Sequence, residues 1–449
     1  MRHPWRMHER DADAWRAIHD GERPPRWQDL FGHPDGMDYL SDEGRTVAER
    51  AAVDLEEFFG ATWLPRAMDP NGPHGMPIPT LARFSPGLTL TGRAGAYVEL
   101  VRWWAAVALL QQERVDGFQR WRKDARCDVR LERLLHTLTQ ARLAAAGVGI
   151  GATVTLEPGD DRGSADVLLE QDPVRVLIEV LAVLPDADFR QQTAGTDRSL
   201  AHLDQLARQH DLHWWGEVPG QMPPHELAAW NLSTSRLAAE VSVMGTPKTL
   251  DLAKWGALTA SPGPAPVGTT LSGPVIESDQ GHRLLQKVRQ KVRQTRAAES
   301  AWIWVEDHGA LQPFTPFQQS PLADRVVAFA DLVADVLSQH PHLAGIVLSS
   351  GSRRVQPLPA DQTVETVTGN GYFRGLPIDR RRETIVIPRQ PGRPDQLGLL
   401  SRLCSDEPAW LSSALTRLGI AGGVSALLRS DPAAAPVVAG TPATSVIRP

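Results

Sequence analysis

Apolar residues recur along this chain with two different periods, and the places where the period changes mark its elements. Over residues 43–59, Val47, Ala51, Leu55, Phe58 and Phe59 fall on one helical face. Four prolines and two glycines in residues 69–79 then read as a loop. The pattern from 97 to about 145 is helical again, with breaks near Gly117 and Asp128, and Gly147, Gly149 and Gly151 stop the last helix. At 163–185 the period becomes that of strands: apolar runs at 165–170 and 174–183 flank Gln171-Asp172-Pro173, a hairpin signal.

Further along, helices at 199–210 and 224–243 bracket a strand at 212–218, and a Gly/Pro/Ser/Thr-rich loop follows at 261–274. A basic amphipathic helix at 282–296 leads into a strand at 300–306, a helix at 322–339 into a strand at 343–349, and a strand at 383–387 precedes a helical region at 396–429. Helix, hairpin, then alternating helix and strand predict an α/β fold with a mixed central sheet flanked by helices. The expected organisation is a Trp/Pro-rich, partly helical N-terminal extension at 1–95 and an α/β core at 96–390 with a helical insertion at about 186–280. A C-terminal helical region at 391–430 and a disordered tail at 431–449 complete it.

Composition narrows the function classes. The chain has 449 residues, 42% of them hydrophobic and 22% charged, with no apolar run long enough to cross a bilayer. Its N-terminus carries charges of both signs and no apolar stretch of a secretory signal, so the expected location is cytoplasmic. Cys127 and Cys404 lie far apart with no CxxC, which excludes a disulfide framework and the usual cysteine zinc sites. No Walker loop, GxSxG elbow or HExxH is present. The run Gly147-Val148-Gly149-Ile150-Gly151 follows a helix and reads as a cap, and the pairs His210/His213 and His340/His342 lack further ligands at metal spacing. Fourteen tryptophans, including Trp103-Trp104 and Trp214-Trp215, read mainly as core.

Chemistry enters through the hairpin. Asp166 and Glu179 interrupt its apolar strands, and a turn of two or four residues sets them directly opposite each other on one face, whereas a three-residue turn sends them to opposite faces. Two facing carboxylates repel unless a cation or a shared proton lies between them, which makes the pair a candidate site for Mg²⁺ or Mn²⁺.

A helix with Glu132 in RLERLLHTLTQARLAAAGV, then Asp166 in SADVLLE and Glu179 in VLIEVLAV, resembles the PD-(D/E)XK nuclease superfamily with its restriction-endonuclease-like fold. The resemblance covers roughly residues 128–350. It implies that Glu132, Asp166 and Glu179 ligate one or two Mg²⁺ or Mn²⁺ ions that activate water and stabilise charge on a phosphodiester. The chain departs from the pattern two positions after Glu179, where Leu181 replaces the motif lysine. In divergent members a helix supplies that lysine, and Lys287 and Lys291, one turn apart beside the stripe of Leu284, Leu285, Val288 and Val292, are the candidates here.

Net charge is −6, yet its distribution is uneven. Residues 120–133, 282–296 and 374–393 together carry +13, leaving −19 for the rest. If these stretches converge, an acidic protein presents a basic groove to phosphates, with Arg283, Arg289, Arg293, Arg380, Arg381 and Arg382 as expected nucleic-acid contacts. The sequence therefore points to a divergent metal-dependent nuclease; the alternative is the same fold without catalysis, used as a nucleic-acid or protein-binding module.

Overall fold

A computed structural model describes residues 13–14, 17–18, 21–32, 40–69, 90–160, 163–184, 187–251, 256–263, 271–272, 280–295, 300–307, 322–351, 365–368, 371–374, 382–389, 393–405, 407–427 and 444–446. The helices α1 (Trp27–Phe31), α2 (Asp42–Phe59), α3 (Trp63–Met68), α4 (Leu90–Gln112), α5 (Phe118–Cys127) and α6 (Leu131–Gly149) precede the sheet. Ser41 opens α2 by accepting a hydrogen bond from the Gly44 amide, with Asp42 and Glu43 in the first turn. The breaks expected near Gly117 and Asp128 are the boundaries of α5.

Five strands follow: β1 (Thr153–Leu156), the two-residue β2 (Gly159–Asp160) and β3 (Gly163–Ser164), β4 (Val167–Gln171) and β5 (Val174–Val183). The inserted segment carries α7 (Ala187–His210), β6 (Leu212–Glu217), α8 (Pro224–Met244), β7 (Lys248–Asp251), β8 (Ala257–Pro262) and β9 (Leu271–Ser272). Expected as a helical insertion with one strand at 212–218, it holds that strand as β6 within its own four-stranded sheet, ordered β7-β8-β6-β9, closed over an apolar cluster that includes Trp214, Trp230 and Leu237. The short β7 is invisible to periodicity because Lys248–Asp251 carries one apolar residue in four and no strand alternation.

Then come α9 (Gln280–Gln294), β10 (Ala301–Asp307), α10 (Leu322–Gln339), β11 (Leu343–Gly351), the hairpin β12 (Glu365–Thr368) and β13 (Gly371–Arg374), and β14 (Arg382–Pro388). Helices α11 (Pro394–Ser405), α12 (Glu407–Arg417) and α13 (Gly423–Leu427) and the three-residue β15 (Thr444–Val446) end the chain. The fold is α/β, as expected, with a mixed central sheet ordered β1-β4-β5-β10-β11-β14 and β15 at the edge. Strands β1, β4 and β5 are antiparallel neighbours, while β10 and β11 continue parallel to β5.

Strand β10 explains the layering. Its side chains alternate between two apolar layers, so every residue is buried, as a central parallel strand requires. Trp302 and Trp304 join Ile178 and Val180 under α6, in a cluster shared with α1–α5 and α11–α13. Ile303 and Val305 join Leu181 and Val183 under α9 and α10, with Leu284, Val288 and Phe329. The N-terminal helices thus complete the same apolar layer that α6 forms on the sheet. Gly147 lets α6 approach closely, since a Cβ there would stand 2.6 Å from the Leu169 side chain.

The loop after α4 is anchored to β1, whose Leu156 amide donates to the Asp116 carbonyl at 2.8 Å. Gly117, at φ +77°, sits where a Cβ would lie 1.8 Å from the Leu156 carbonyl oxygen. Both the left-handed backbone and the close approach demand glycine. Gly117→Ala should lower the unfolding free energy by about 2 kcal/mol or more in urea titrations; a change within experimental error would contradict this packing.

Candidate active site

The hairpin register settles the geometric question the sequence left open. Val167 pairs with Ile178 and Gln171 with Val174, so Asp172 and Pro173 alone make the turn. Asp166, one residue before β4, is next in line opposite Glu179; its amide donates to the Ile178 carbonyl at 3.1 Å and its carbonyl accepts from Glu157 at 2.9 Å. The two carboxylates therefore share a side of the sheet, and both are buried, at 9% and 3% exposure.

Two helices converge on them. From α9, Lys291 Nζ donates to Glu179 Oε1 at 2.5 Å and stands 3.9 Å from Asp166 Oδ2. From α6, His136 Nε2 and Gln140 Nε2 reach Asp166 Oδ1 at 3.2 and 2.6 Å. A carboxylate only accepts, so His136 donates from Nε2. The Val180 amide completes the set by donating to Asp166 Oδ2 at 2.6 Å. Gln140 is oriented in turn by Trp121, whose indole N–H donates to its Oε1 at 3.0 Å. The rotation of α6 is fixed two residues further on, where Arg142 donates to the fully buried Glu306 at 2.6 Å.

Burial raises and partners lower, and the balance differs between the carboxyls. Burial alone would push the Asp166 carboxyl up, but the charge and hydrogen bond of His136, the Lys291 ammonium and the Val180 amide outweigh it and hold it below its ordinary value. Burial pushes Glu179 from 4.5 to about 8, the Asp166 charge adds to this, and Lys291 only partly offsets it. The pair thus divides into an ionised Asp166 and a Glu179 that keeps its proton well above the ordinary carboxyl range.

The set expected from sequence is assembled in part. Lys291 is the lysine brought to the hairpin carboxylates. Lys287, one turn earlier, instead lies 3.9 Å from Glu132. Glu132 is exposed, and among the described residues no three His, Cys, Asp or Glu side chains stand close enough to hold a metal ion together. Asp166 and Glu179 are the two carboxylates that stand together beside Lys291. That donor set fits an Mg²⁺-type ion, which takes one or two carboxylates and fills its octahedron with water and phosphate oxygens. Leu181, at the position of the motif lysine, packs in the apolar layer with Leu284 and Val288, so a lysine there would bury its stem in that layer.

Arg289 and Arg293 lie on the exposed side of α9, and Arg283 is half-buried on it. Arg382 opens β14, while Arg380 and Arg381 lie outside the described residues. The basic stretch 120–133 serves the fold instead of a groove. Arg122 donates to the Glu57 carbonyl at 2.7 Å and Arg126 to those of Glu57 and Phe58, capping the C-terminus of α2. Arg120 is held by the Glu157 carbonyl, and Arg130 by Asp128. Sequence reading passed over His136 and Gln140, although their spacing of four and eight residues from Glu132 puts all three on one face of α6. Among the described residues no helix is long and apolar enough to cross a membrane.

Because the folded pKa of Glu179 lies above the unfolded one, the fold holds a proton that the unfolded chain has released. Stability from this group is complete below pH about 4.5 and is lost as pH rises towards about 8. Denaturant titrations across that window should show unfolding free energy declining with pH, and Glu179→Gln should remove part of the decline. An unchanged slope in the variant would refute the assignment.

Comparison of the chain with protein-family models, with curated proteins and with solved structures gives no match.

Proposed function

We propose that this protein is a divalent-cation-dependent phosphodiesterase acting on nucleic acid, built on a divergent restriction-endonuclease-like core. The observation that carries the reading is Lys291: a lysine from α9 meets two carboxylates that the hairpin register sets opposite each other, at 2.5 and 3.9 Å. Support also comes from topology, since helix α6, the antiparallel β4–β5 hairpin, and then helix α9 leading into the parallel strand β10 follow the order that the resemblance implies.

In this reading Asp166 and Glu179 hold Mg²⁺ or Mn²⁺. Such an ion, when bound, would polarise a phosphoryl oxygen and lower the pKa of a coordinated water. His136 and Gln140 occupy Asp166 Oδ1, which fixes the carboxylate plane and leaves Oδ2 on the side of Lys291. Lys291 lies beside the carboxylates, where its ammonium can stabilise negative charge developing on a phosphate. Arg289 and Arg293, on the exposed side of α9, are suited to backbone phosphates flanking the scissile one.

The second reading, a nucleic-acid-binding module without hydrolysis, draws on Leu181 at the motif position and on the two-carboxylate donor set. Cleavage assays with single- and double-stranded DNA and RNA in Mg²⁺ or Mn²⁺ separate the two. Asp166→Asn and Lys291→Met should each lower the rate by about a hundredfold or more, and Glu132→Gln by no more than about threefold. Cleavage that survives Asp166→Asn would exclude this site as its source. Salt-sensitive binding with no cleavage in any cation would favour the binding module.

A further inference from the structure

The cation nearest the two carboxylates is part of the protein. Glu179 Oε1 is already bonded to Lys291, and the same ammonium lies 3.9 Å from Asp166 Oδ2, the oxygen left for an external ion. A divalent ion binding both carboxylates would share their space with this ammonium, and two cations at such separation repel strongly in a buried setting. The groups facing Lys291 are Glu179 and Asp166 from the hairpin, with Lys287 one turn away on α9 beside Glu132 of α6.

Resting on the metal-dependent reading above, we propose that Lys291 is a resident counter-ion that gates the site: it lowers the affinity of the free protein for divalent cations and yields when a phosphate arrives. Its side chain is built for this movement. The stem is long and flexible, the side chain is 20% exposed, and the rim beside it is open at Lys287 (28%) and Glu132 (57%). A displaced ammonium loses its pairing with Glu179 unless another anion receives it, and an incoming phosphodiester is such an anion. Cation and phosphate then bind cooperatively, each raising the affinity for the other by the same factor. The arrangement favours loading with a divalent ion when substrate is present.

Mn²⁺ titrations of the full chain by calorimetry test the gate directly. Lys291→Gln, which keeps a donor for Glu179 without the charge, and Lys291→Met should both bind Mn²⁺ about tenfold tighter or more than wild type. Adding Asp166→Asn should abolish the gain. A short phosphorothioate DNA strand should raise the Mn²⁺ affinity of wild type by a similar factor and leave that of Lys291→Gln nearly unchanged. If Lys291→Gln binds Mn²⁺ no tighter than wild type while Asp166→Asn removes binding, the metal site stands and the gate is refuted. If wild type shows no gain with the DNA, coupling to phosphate is refuted. If no form binds Mn²⁺ with or without DNA, the gate and the metal-dependent reading fall together.

Discussion

The turn between β4 and β5 has two residues, and that number sets the parity of everything built on the hairpin. Side chains alternate along a strand, so one residue more would carry Asp166 to the other face and place Ile178 opposite it. The same parity directs Val176, Ile178 and Val180 into the layer beneath α6, and Leu181 and Val183 into the layer beneath α9 and α10. β5 then pairs with β10 in parallel, with Glu179 beside Ile303. The burial of the sheet and the meeting of the carboxylates therefore depend on a single register.

Helix α6 connects that register to the site. Its alanines and Gly147 bring it close to the sheet, and the buried Arg142–Glu306 pair fixes which face it turns inward. A buried pair of this kind contributes little net stability, but breaking one side of it leaves an uncompensated charge, so alternative rotations of the helix are penalised. His136 and Gln140 are held facing Asp166 as a result, and Trp121 from α5 orients the Gln140 amide. The tryptophan is thus both a core residue and the outermost member of a hydrogen-bonded chain leading to a carboxylate.

Electrostatics divides the basic residues into two groups. In 120–133 the arginines cap carbonyls at the end of α2, bond to Glu157 beside β1, or pair with nearby aspartates, so their clustering reflects helix packing. On α9 the exposed Arg289 and Arg293 face outward while Lys287 and Lys291 turn towards α6 and the hairpin. The net charge of −6 is accordingly a poor guide to phosphate binding in either direction.

The α/β class, the hairpin and the pair Asp166 and Glu179 were legible in the residues because strand alternation and turn chemistry are local properties, readable over a few positions. Lys291 could be named as a candidate from the helical stripe beside it, but not chosen over Lys287, because one turn along α9 matters only relative to a sheet more than a hundred residues away in sequence. The contributions of His136 and Gln140 were less visible still, since a polar residue on an apolar helix has meaning only once its partner across the packing interface is known. Short strands such as β1 and β7 escaped because four residues hold too few alternations to define a period. Periodicity establishes which residues face inward; which of them meet depends on crossovers, register and helix rotation, and these are set by packing across the whole fold.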